Sequence, residues 1–163
     1  MRLSQLLERL EYEVVQGIED IAITTLINDS RKVEPGSVFV CISGAVSDGH
    51  RFAAEVADKG AAALIVEKEV EVPGDVTVIR VEDTRYALAL MSAAYFGYPA
   101  NKLKIIGITG TKGKTTTTYM IRSILEEVGR KVGLIGTIEA IIGEKHIPAA
   151  NTTPESYTIQ KYF

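Results

Sequence analysis

The chain has 163 residues, of which 46% are hydrophobic and 24% charged, and its net charge of −3 offers no basic face for nucleic acid. A single cysteine, Cys41, excludes an internal disulfide framework, and the sequence contains neither a secretory signal nor an apolar run of membrane-spanning length. We therefore expect a cytoplasmic globular protein without membrane insertion, formed by one domain or by one small domain and part of another.

The first hundred residues alternate between predicted helices and strands. Leucines from Leu3 to Leu10 have the spacing of a helix with one core-facing side. Apolar runs at 38–42, 61–66 and 77–81 predict buried strands, and the first of these contains Cys41 as a reduced core residue. This alternation predicts an α/β layer structure.

Two more helices are predicted between and after these strands. One runs from Phe52 to Lys59 and is ended by Gly60. The other is capped by Asp83 and ends near Gly97 and Pro99. Its core-facing residues are Leu88, Met91 and Tyr95.

The segment 98–102 is the predicted domain boundary, which gives a first domain at 1–100 and the start of a second at 103–163. The second begins with a predicted strand that starts at Leu103 and leads into a glycine-rich turn, followed by a helix from about Thr115 and a strand at 132–135. The buried face of that helix is predicted to contain Met120, Ile121, Ile124, Leu125 and Val128. About sixty residues are too few for a complete doubly wound domain, so we expect a fragment of a longer enzyme.

The turn at 110–116 carries the most specific pattern in the chain. Gly110 and Gly113 let backbone amides approach phosphate oxygens, and the following helix points free N–H groups and its positive end at the anion. Lys114 adds a mobile charge on the outer phosphates, and the Thr115 hydroxyl can hold Mg²⁺. We predict a nucleoside triphosphate site.

The longer form of this loop requires glycine at position 108, where the chain has Ile108. The match is therefore to the shorter Gly-Thr-x-Gly-Lys-Thr form, which argues against an ordinary GTPase or kinase loop. The alternative is a turn that binds nothing, but such a turn has no need of the order Gly-Lys-Thr.

Other polar segments have less specific patterns. Asp29 and Ser30 suit a ribose or diphosphate, and equally a plain Asx turn. Arg31 is suited to phosphate, or to a structural pair with Asp29 or Asp48. The two histidines, His50 and His146, lack any ligand spacing, and we assign them no catalytic role.

A further polar segment precedes Pro154, which can open a helix. It consists of Asn151, Thr152 and Thr153. This segment suits a carboxylate or sugar hydroxyl, and equally a helix cap.

Five blocks in this order resemble the ATP-dependent Mur ligases, which build the peptidoglycan peptide. The blocks are Asp29-Ser30-Arg31 with Val33, Pro35, Gly36 and residues 38–40; Gly44 with Asp48-Gly49-His50 and Phe52; Gly60-Ala61; residues 110–116; and residues 151–154. The resemblance covers nearly the whole chain. It implies a small uridine-nucleotide-binding α/β domain followed by the first βαβ part of a central domain with a phosphate loop.

The resemblance also implies roles for particular residues. The ATP site is formed by Gly110, Thr111, Lys112, Gly113, Lys114, Thr115 and Thr116, with Lys114 as catalytic residue and Thr115 on Mg²⁺. Contacts with UDP-MurNAc-L-Ala-D-Glu are expected from Asn28, Ser30, Ala45, Val46, Ser47, Asn151, Thr152 and Thr153. Many relatives have histidine, asparagine or glutamine where this chain has Ala45 and Val46, so backbone contacts are expected there.

The implied reaction is phosphorylation of the D-glutamyl γ-carboxylate by ATP, followed by attack of an amino acid on the mixed anhydride. The Asn-Thr-Thr-Pro block favours the family member that adds the third residue. Two alternatives are a ligase that adds the terminal dipeptide and a uridine-nucleotide-binding module without catalysis. The sequence does not choose between lysine and diaminopimelate, because the selecting residues are expected beyond Phe163.

Overall fold

The computed structural model describes residues 1–44 and 47–163, which divide into two compact units, Met1–Tyr98 and Pro99–Phe163. Two of the predicted substrate contacts, Ala45 and Val46, lie outside the described residues. Each unit has its own sheet, with five strands in the first and three in the second. None of the described helices is both long and apolar enough to cross a bilayer.

The sheet of the first unit is mostly parallel. Its strands are β1 (Glu13–Gln16), β2 (Leu26–Ile27), β3 (Val38–Val40), β4 (Ala63–Val66) and β5 (Thr77–Arg80). They lie in the order β1-β5-β4-β3-β2, with β1 antiparallel to β5 and all other pairs parallel. Every residue of β3 and β4 is buried, because side chains pack on both faces of the sheet. The three predicted strands are confirmed, whereas β1 and β2 were not predicted.

The helices of the first unit are α1 (Leu3–Leu7), α2 (Ala53–Asp58) and α3 (Thr84–Tyr95). α2 packs on the sheet face that contains Phe39, Leu64 and Val78, which lie side by side on β3, β4 and β5. The predicted cap of α3 is confirmed, because the Asp83 carboxylate accepts hydrogen bonds from the first-turn amides at 85 and 86. Cys41 is buried with its thiol free, also as predicted.

The second unit contains α4 (Lys114–Glu127), β6 (Leu134–Ile135), β7 (Glu139–Ile142), β8 (Lys145–Pro148) and α5 (Ser156–Tyr162). The three strands are antiparallel in the order β6-β7-β8. β7 and β8 form a hairpin that was not predicted from the sequence. Its two-residue turn has Gly143 at φ 58°, a conformation that favours glycine.

Two predictions for the second unit were wrong. Residues 104–110 form no strand, and Ile105 and Ile106 are each 55% exposed, because no described strand pairs with them. On α4 and at the residue that caps its end, the predicted core residues Met120, Ile124 and Val128 are 60–67% exposed. Helical spacing identifies an apolar face, but the described residues supply no layer that covers this one.

Candidate functional site

The phosphate loop, residues 110–116, lies at the start of α4 as predicted. Gly110 and Gly113 have φ of 149° and 79°, conformations that other residues rarely adopt. Gly113 precedes the helix, and no side chain caps the first-turn amides of α4. The N–H groups and positive dipole end of a 14-residue helix therefore remain available to an anion.

Lys114 is the first residue of α4, and its Nζ donates a hydrogen bond to the Gly110 carbonyl oxygen at 2.5 Å. The lysine charge thus lies over the turn formed by residues 110–113. Thr115 is the second helical residue and contributes one hydroxyl to the first turn.

The donor set at this loop fits Mg²⁺ rather than a metal held fully by protein. Among the described residues, no group of three or more His, Cys, Asp or Glu side chains could hold a metal ion. Mg²⁺ usually keeps waters and substrate phosphates and needs few protein oxygens, so one hydroxyl from Thr115 beside a phosphate site is suitable.

A second group of predicted residues follows β2 and β3 in the first unit. These two strands pair in parallel, so the segments after them meet at the same edge of the sheet. Asn28 and Ser30 follow β2, and Ser47 lies in the loop after β3. Open α/β sheets bind ligands beyond the carboxyl ends of their strands, where these residues lie.

The segment that contains Ser30 is held by three charged residues, Asp29, Arg31 and Lys59. The Asp29 carboxylate accepts from the backbone N–H of Arg31 and also binds its guanidinium at 2.8 and 2.9 Å. These hydrogen bonds lower the pKa of Asp29 to about 2. From α2, the ammonium of Lys59 donates to the Ser30 carbonyl at 2.9 Å. Asp29 therefore forms the Asx turn and the Arg31 pair that the sequence left open.

The loop that contains Ser47 closes on itself. The backbone N–H of Gly44 donates to the Ser47 carbonyl at 3.0 Å, and Ser43 and Asp48 form an isolated antiparallel bridge. The Asp48 carboxylate binds Lys68 at 2.8 Å and the His50 ring at 2.6 Å. Both contacts, led by that with Lys68, hold the pKa of Asp48 well below its usual range.

The third predicted segment lies between β8 and α5 in the second unit. Asn151, Thr152 and Thr153 are all exposed. The hydroxyl of Thr137, in the β6–β7 connection, donates to the Thr152 hydroxyl at 3.5 Å. The helix cap considered from sequence is not formed, because α5 begins after Glu155 and has no side-chain cap.

The structural importance of His50 was not predicted from the sequence. This residue is 9% exposed and contacts groups from two segments, Asp48 and the backbone of Glu67. An Asp two residues before a His is a local signal for the first contact. The second joins residues 17 positions apart, and no local pattern predicts it.

The glycine-rich turn before α4 and the largely parallel sheet of the first unit place the protein in the α/β class. Residues 22–96 match the model of the Mur ligase family catalytic domain, and residues 108–163 match that of the Mur ligase middle domain. The chain belongs to the Mur ligase family.

Curated relatives match along the whole chain. The UDP-N-acetylmuramoyl-L-alanyl-D-glutamate--2,6-diaminopimelate ligase of Clostridium perfringens is 52% identical over 163 residues, which are 100% of this chain and 34% of that protein. The ligase of the same name from Bacillus velezensis is 49% identical over 164 residues, 100% of this chain and 33% of that protein. The chain thus spans about a third of the length of these relatives.

Solved structures show the same fold. One is a structure of a UDP-N-acetylmuramoyl-L-alanyl-D-glutamate--2,6-diaminopimelate ligase. The match covers 99% of this chain and 32% of the ligase chain, with a TM-score of 0.70 and 22% identity. The match with MurF from Acinetobacter baumannii covers 78% of this chain and 28% of the MurF chain, with a TM-score of 0.58 and 32% identity.

Proposed function

We propose that this chain is part of an ATP-dependent ligase that adds the third amino acid to UDP-MurNAc-L-Ala-D-Glu in peptidoglycan synthesis, in the cytoplasm. The observation that carries the proposal is identity of 49–52% along the whole chain with two ligases named for this substrate and for 2,6-diaminopimelate. Their names support diaminopimelate, rather than lysine, as the added amino acid.

In the proposed reaction, the D-glutamyl γ-carboxylate attacks the γ-phosphorus of ATP and ADP leaves. The amine of diaminopimelate then attacks the acyl carbon and loses a proton, and phosphate leaves. Mg²⁺, when bound beside Thr115, would neutralise charge on the phosphates.

The residues of this chain contribute mainly binding and charge to that reaction. Free amides at the start of α4 bind the phosphate oxygens of ATP. When ATP binds, the Lys114 ammonium leaves the Gly110 carbonyl oxygen, 2.5 Å away, and binds a phosphate oxygen instead. Negative charge moves onto the leaving ADP in the transition state. The positive charge of Lys114 beside the phosphates therefore stabilises the transition state more than the ground state.

The substrate is proposed to contact two regions of the chain. Uridine diphosphate is assigned to Asn28, Ser30, Ala45, Val46 and Ser47, of which the described ones lie beyond the carboxyl ends of β2 and β3. The muramoyl-dipeptide end is assigned to the hydroxyls and amide of Asn151, Thr152 and Thr153, which are exposed and therefore accessible.

A ligase that adds the terminal dipeptide is the second candidate, and the 32% identity with MurF from A. baumannii is the observation in its favour. The identity with the diaminopimelate ligases is higher and extends over the whole chain, which makes the dipeptide ligase the weaker candidate.

The complete gene product, supplied with ATP and Mg²⁺, tests the proposal. With UDP-MurNAc-L-Ala-D-Glu and diaminopimelate we expect phosphate release and a product heavier by one diaminopimelate residue. Replacing diaminopimelate with lysine should reduce turnover strongly. Turnover only with UDP-MurNAc-tripeptide and D-Ala-D-Ala would instead establish the dipeptide ligase, and nucleotide binding without turnover on either pair would establish a binding module.

A further inference from the structure

A cluster of polar groups fixes the loop after β3 to the end of β4. We call this cluster the Asp48 anchor, and it consists of Asp48, His50, Lys68 and the backbone N–H of Glu67. Asp48 Oδ1 accepts from the His50 backbone at 3.1 Å and from the His50 ring at 2.6 Å, while Oδ2 accepts from Lys68 at 2.8 Å. Glu67 and Lys68 directly follow β4, which is buried throughout. The loop is thereby connected to the end of a fully buried strand.

The hydrogen bonds of His50 determine its tautomer. Its Nε2 accepts from the backbone N–H of Glu67 at 2.9 Å, so the proton of the neutral ring lies on Nδ1 and is donated to Asp48. The His50 side chain is only 6% exposed. Both ring nitrogens are therefore used inside the protein, and His50 is not available as a substrate contact.

The anchor acts at the base of the loop. Gly49 donates its N–H to the Ile42 carbonyl at 2.8 Å, and a Cβ at Gly49 would lie 2.7 Å from the Ile42 backbone nitrogen. Together with the Ser43–Asp48 bridge, this contact brings the two ends of the loop side by side. The position of Ser47, the described residue of this loop that is assigned to uridine diphosphate, thus depends on Asp48.

We propose that Asp48 and His50 are positioning residues for the uridine nucleotide. They hold the described ends of the loop so that Ser47 meets the diphosphate in one geometry, and they touch neither ATP nor the reacting carboxylate. This inference rests on the proposed function of the same loop. Its kinetic consequence is a change in KM for UDP-MurNAc-L-Ala-D-Glu with little change in kcat or in KM for ATP.

Two substitutions separate the two hydrogen bonds of the ring. His50→Asn retains an amide near the Nδ1 position that can donate to Asp48, but it has no acceptor for the Glu67 N–H. His50→Gln retains an acceptor near the Nε2 position for the Glu67 N–H, but it has no donor for Asp48. We expect each to raise KM for UDP-MurNAc-L-Ala-D-Glu roughly tenfold in the complete gene product, the effect of losing one buried hydrogen bond, with kcat and the ATP KM within about twofold. His146→Gln, which removes an exposed ring paired with Glu139 at 2.7 Å, is the matched control and should change neither KM.

Lys68→Met tests the anchor without a change in the core, because the Lys68 side chain is 57% exposed. We expect about a threefold rise in the same KM, since this hydrogen bond is partly solvated. A role confined to stability would lower the thermal midpoint and the yield of active enzyme while leaving KM unchanged. Active enzyme with unchanged KM in all three variants overturns the inference alone, whereas an inactive wild-type enzyme overturns the proposed function and the inference with it.

Discussion

Lys114 Nζ lies 2.5 Å from the carbonyl oxygen of Gly110, so the first residue of α4 folds back over the glycine that opens the phosphate loop. The two residues are four positions apart, and the positive φ of Gly110 and Gly113 turns the chain tightly enough for this contact. The lysine charge is consequently held over the loop before any phosphate binds.

Replacing this lysine should reduce activity strongly without unfolding the protein. In the complete gene product we expect Lys114→Ala to reduce kcat by roughly 10²–10³-fold, because a charge that stabilises the transition state is lost. Phosphate release measures kcat, and circular dichroism checks the fold. Lys131→Ala, an exposed lysine beyond the end of α4, should retain full turnover. Near-normal turnover of Lys114→Ala would exclude this loop as the ATP site.

Gly17 is expected to be the less replaceable of two glycines with similar backbone conformations. Gly17 and Gly97 have φ of 76° and 72°, but a Cβ at Gly17 would lie 2.6 Å from Thr77 Oγ1, whereas nothing lies within 4 Å of one at Gly97. Gly97→Ala should cost about 1–2 kcal/mol of unfolding free energy from the left-handed conformation alone. Gly17→Ala should cost at least about 1 kcal/mol more, because Thr77 must move.

Urea unfolding of the 163-residue chain measures this difference. Reactivity of Cys41 during the titration reports on the first unit, which contains both glycines. Equal losses for the two substitutions would mean that the contact with Thr77 relaxes freely.

The contribution of Asp29 to stability should depend on pH in acid. Its pKa is about 2 in the folded protein because of the hydrogen bonds from Arg31, below the value of about 3.9 for an unperturbed aspartate. Stabilisation by its charge is therefore present above about pH 4 and is lost as the pH falls through 2. Asp29→Asn should cost about 1 kcal/mol at pH 7, an effect limited by the 86% exposure of the Arg31 side chain.

Denaturant unfolding between pH 7 and pH 2 measures how the unfolding free energy of each variant depends on pH. Asp75→Asn, at an exposed position, is the control. The stability difference between wild type and Asp29→Asn should shrink towards zero at the acid end. A non-zero difference that stays constant over this range would show that the charge of Asp29 does not contribute, and no difference at any pH would show that the amide replaces the carboxylate fully.

Cys41 is predicted to be inert in the folded protein. Burial first, and then the negative charges of Asp48 and Glu67, raise the pKa of its thiol to about 12. Because the thiolate is the reactive form, iodoacetamide at pH 8 should leave the native chain unmodified and label it once after denaturation. Mass spectrometry counts the label, and rapid labelling without denaturant would contradict the burial of β3 and the residues that follow it.

Sequence predicted the parts of the fold that local patterns determine. Continuous apolar runs identified β3, β4 and β5, since strands covered on both faces have no polar alternation. β2 has only two residues, and β1 is largely exposed, so neither has a distinctive pattern. The apolar residues 103–109 misled the prediction, because a strand also requires a partner and the described residues supply none.

In the candidate sites, too, features set by neighbouring residues were predicted and features that need a distant partner were not. The turn at 110–116 was predicted with its glycines and Lys114, because all its determinants lie within seven residues of sequence. The Asp48 anchor was not, because the contact of His50 with the Glu67 backbone exists only once β4 lies beside the loop.

The pairing of β1 with β5 has a consequence for synthesis on the ribosome. Glu13 lies opposite Arg80, and α1 packs against α3, which ends at Tyr95. The partners of the first sixteen residues, β5 and α3, are therefore available only after nearly the whole first unit has emerged from the ribosome. During that interval the exposed polypeptide includes Leu3, Leu6 and Leu7, which become fully covered only in the finished unit. Completion of the sheet is thus a late, long-range event, and nascent chains with fewer than about 95 residues outside the ribosome should be those that chaperones bind.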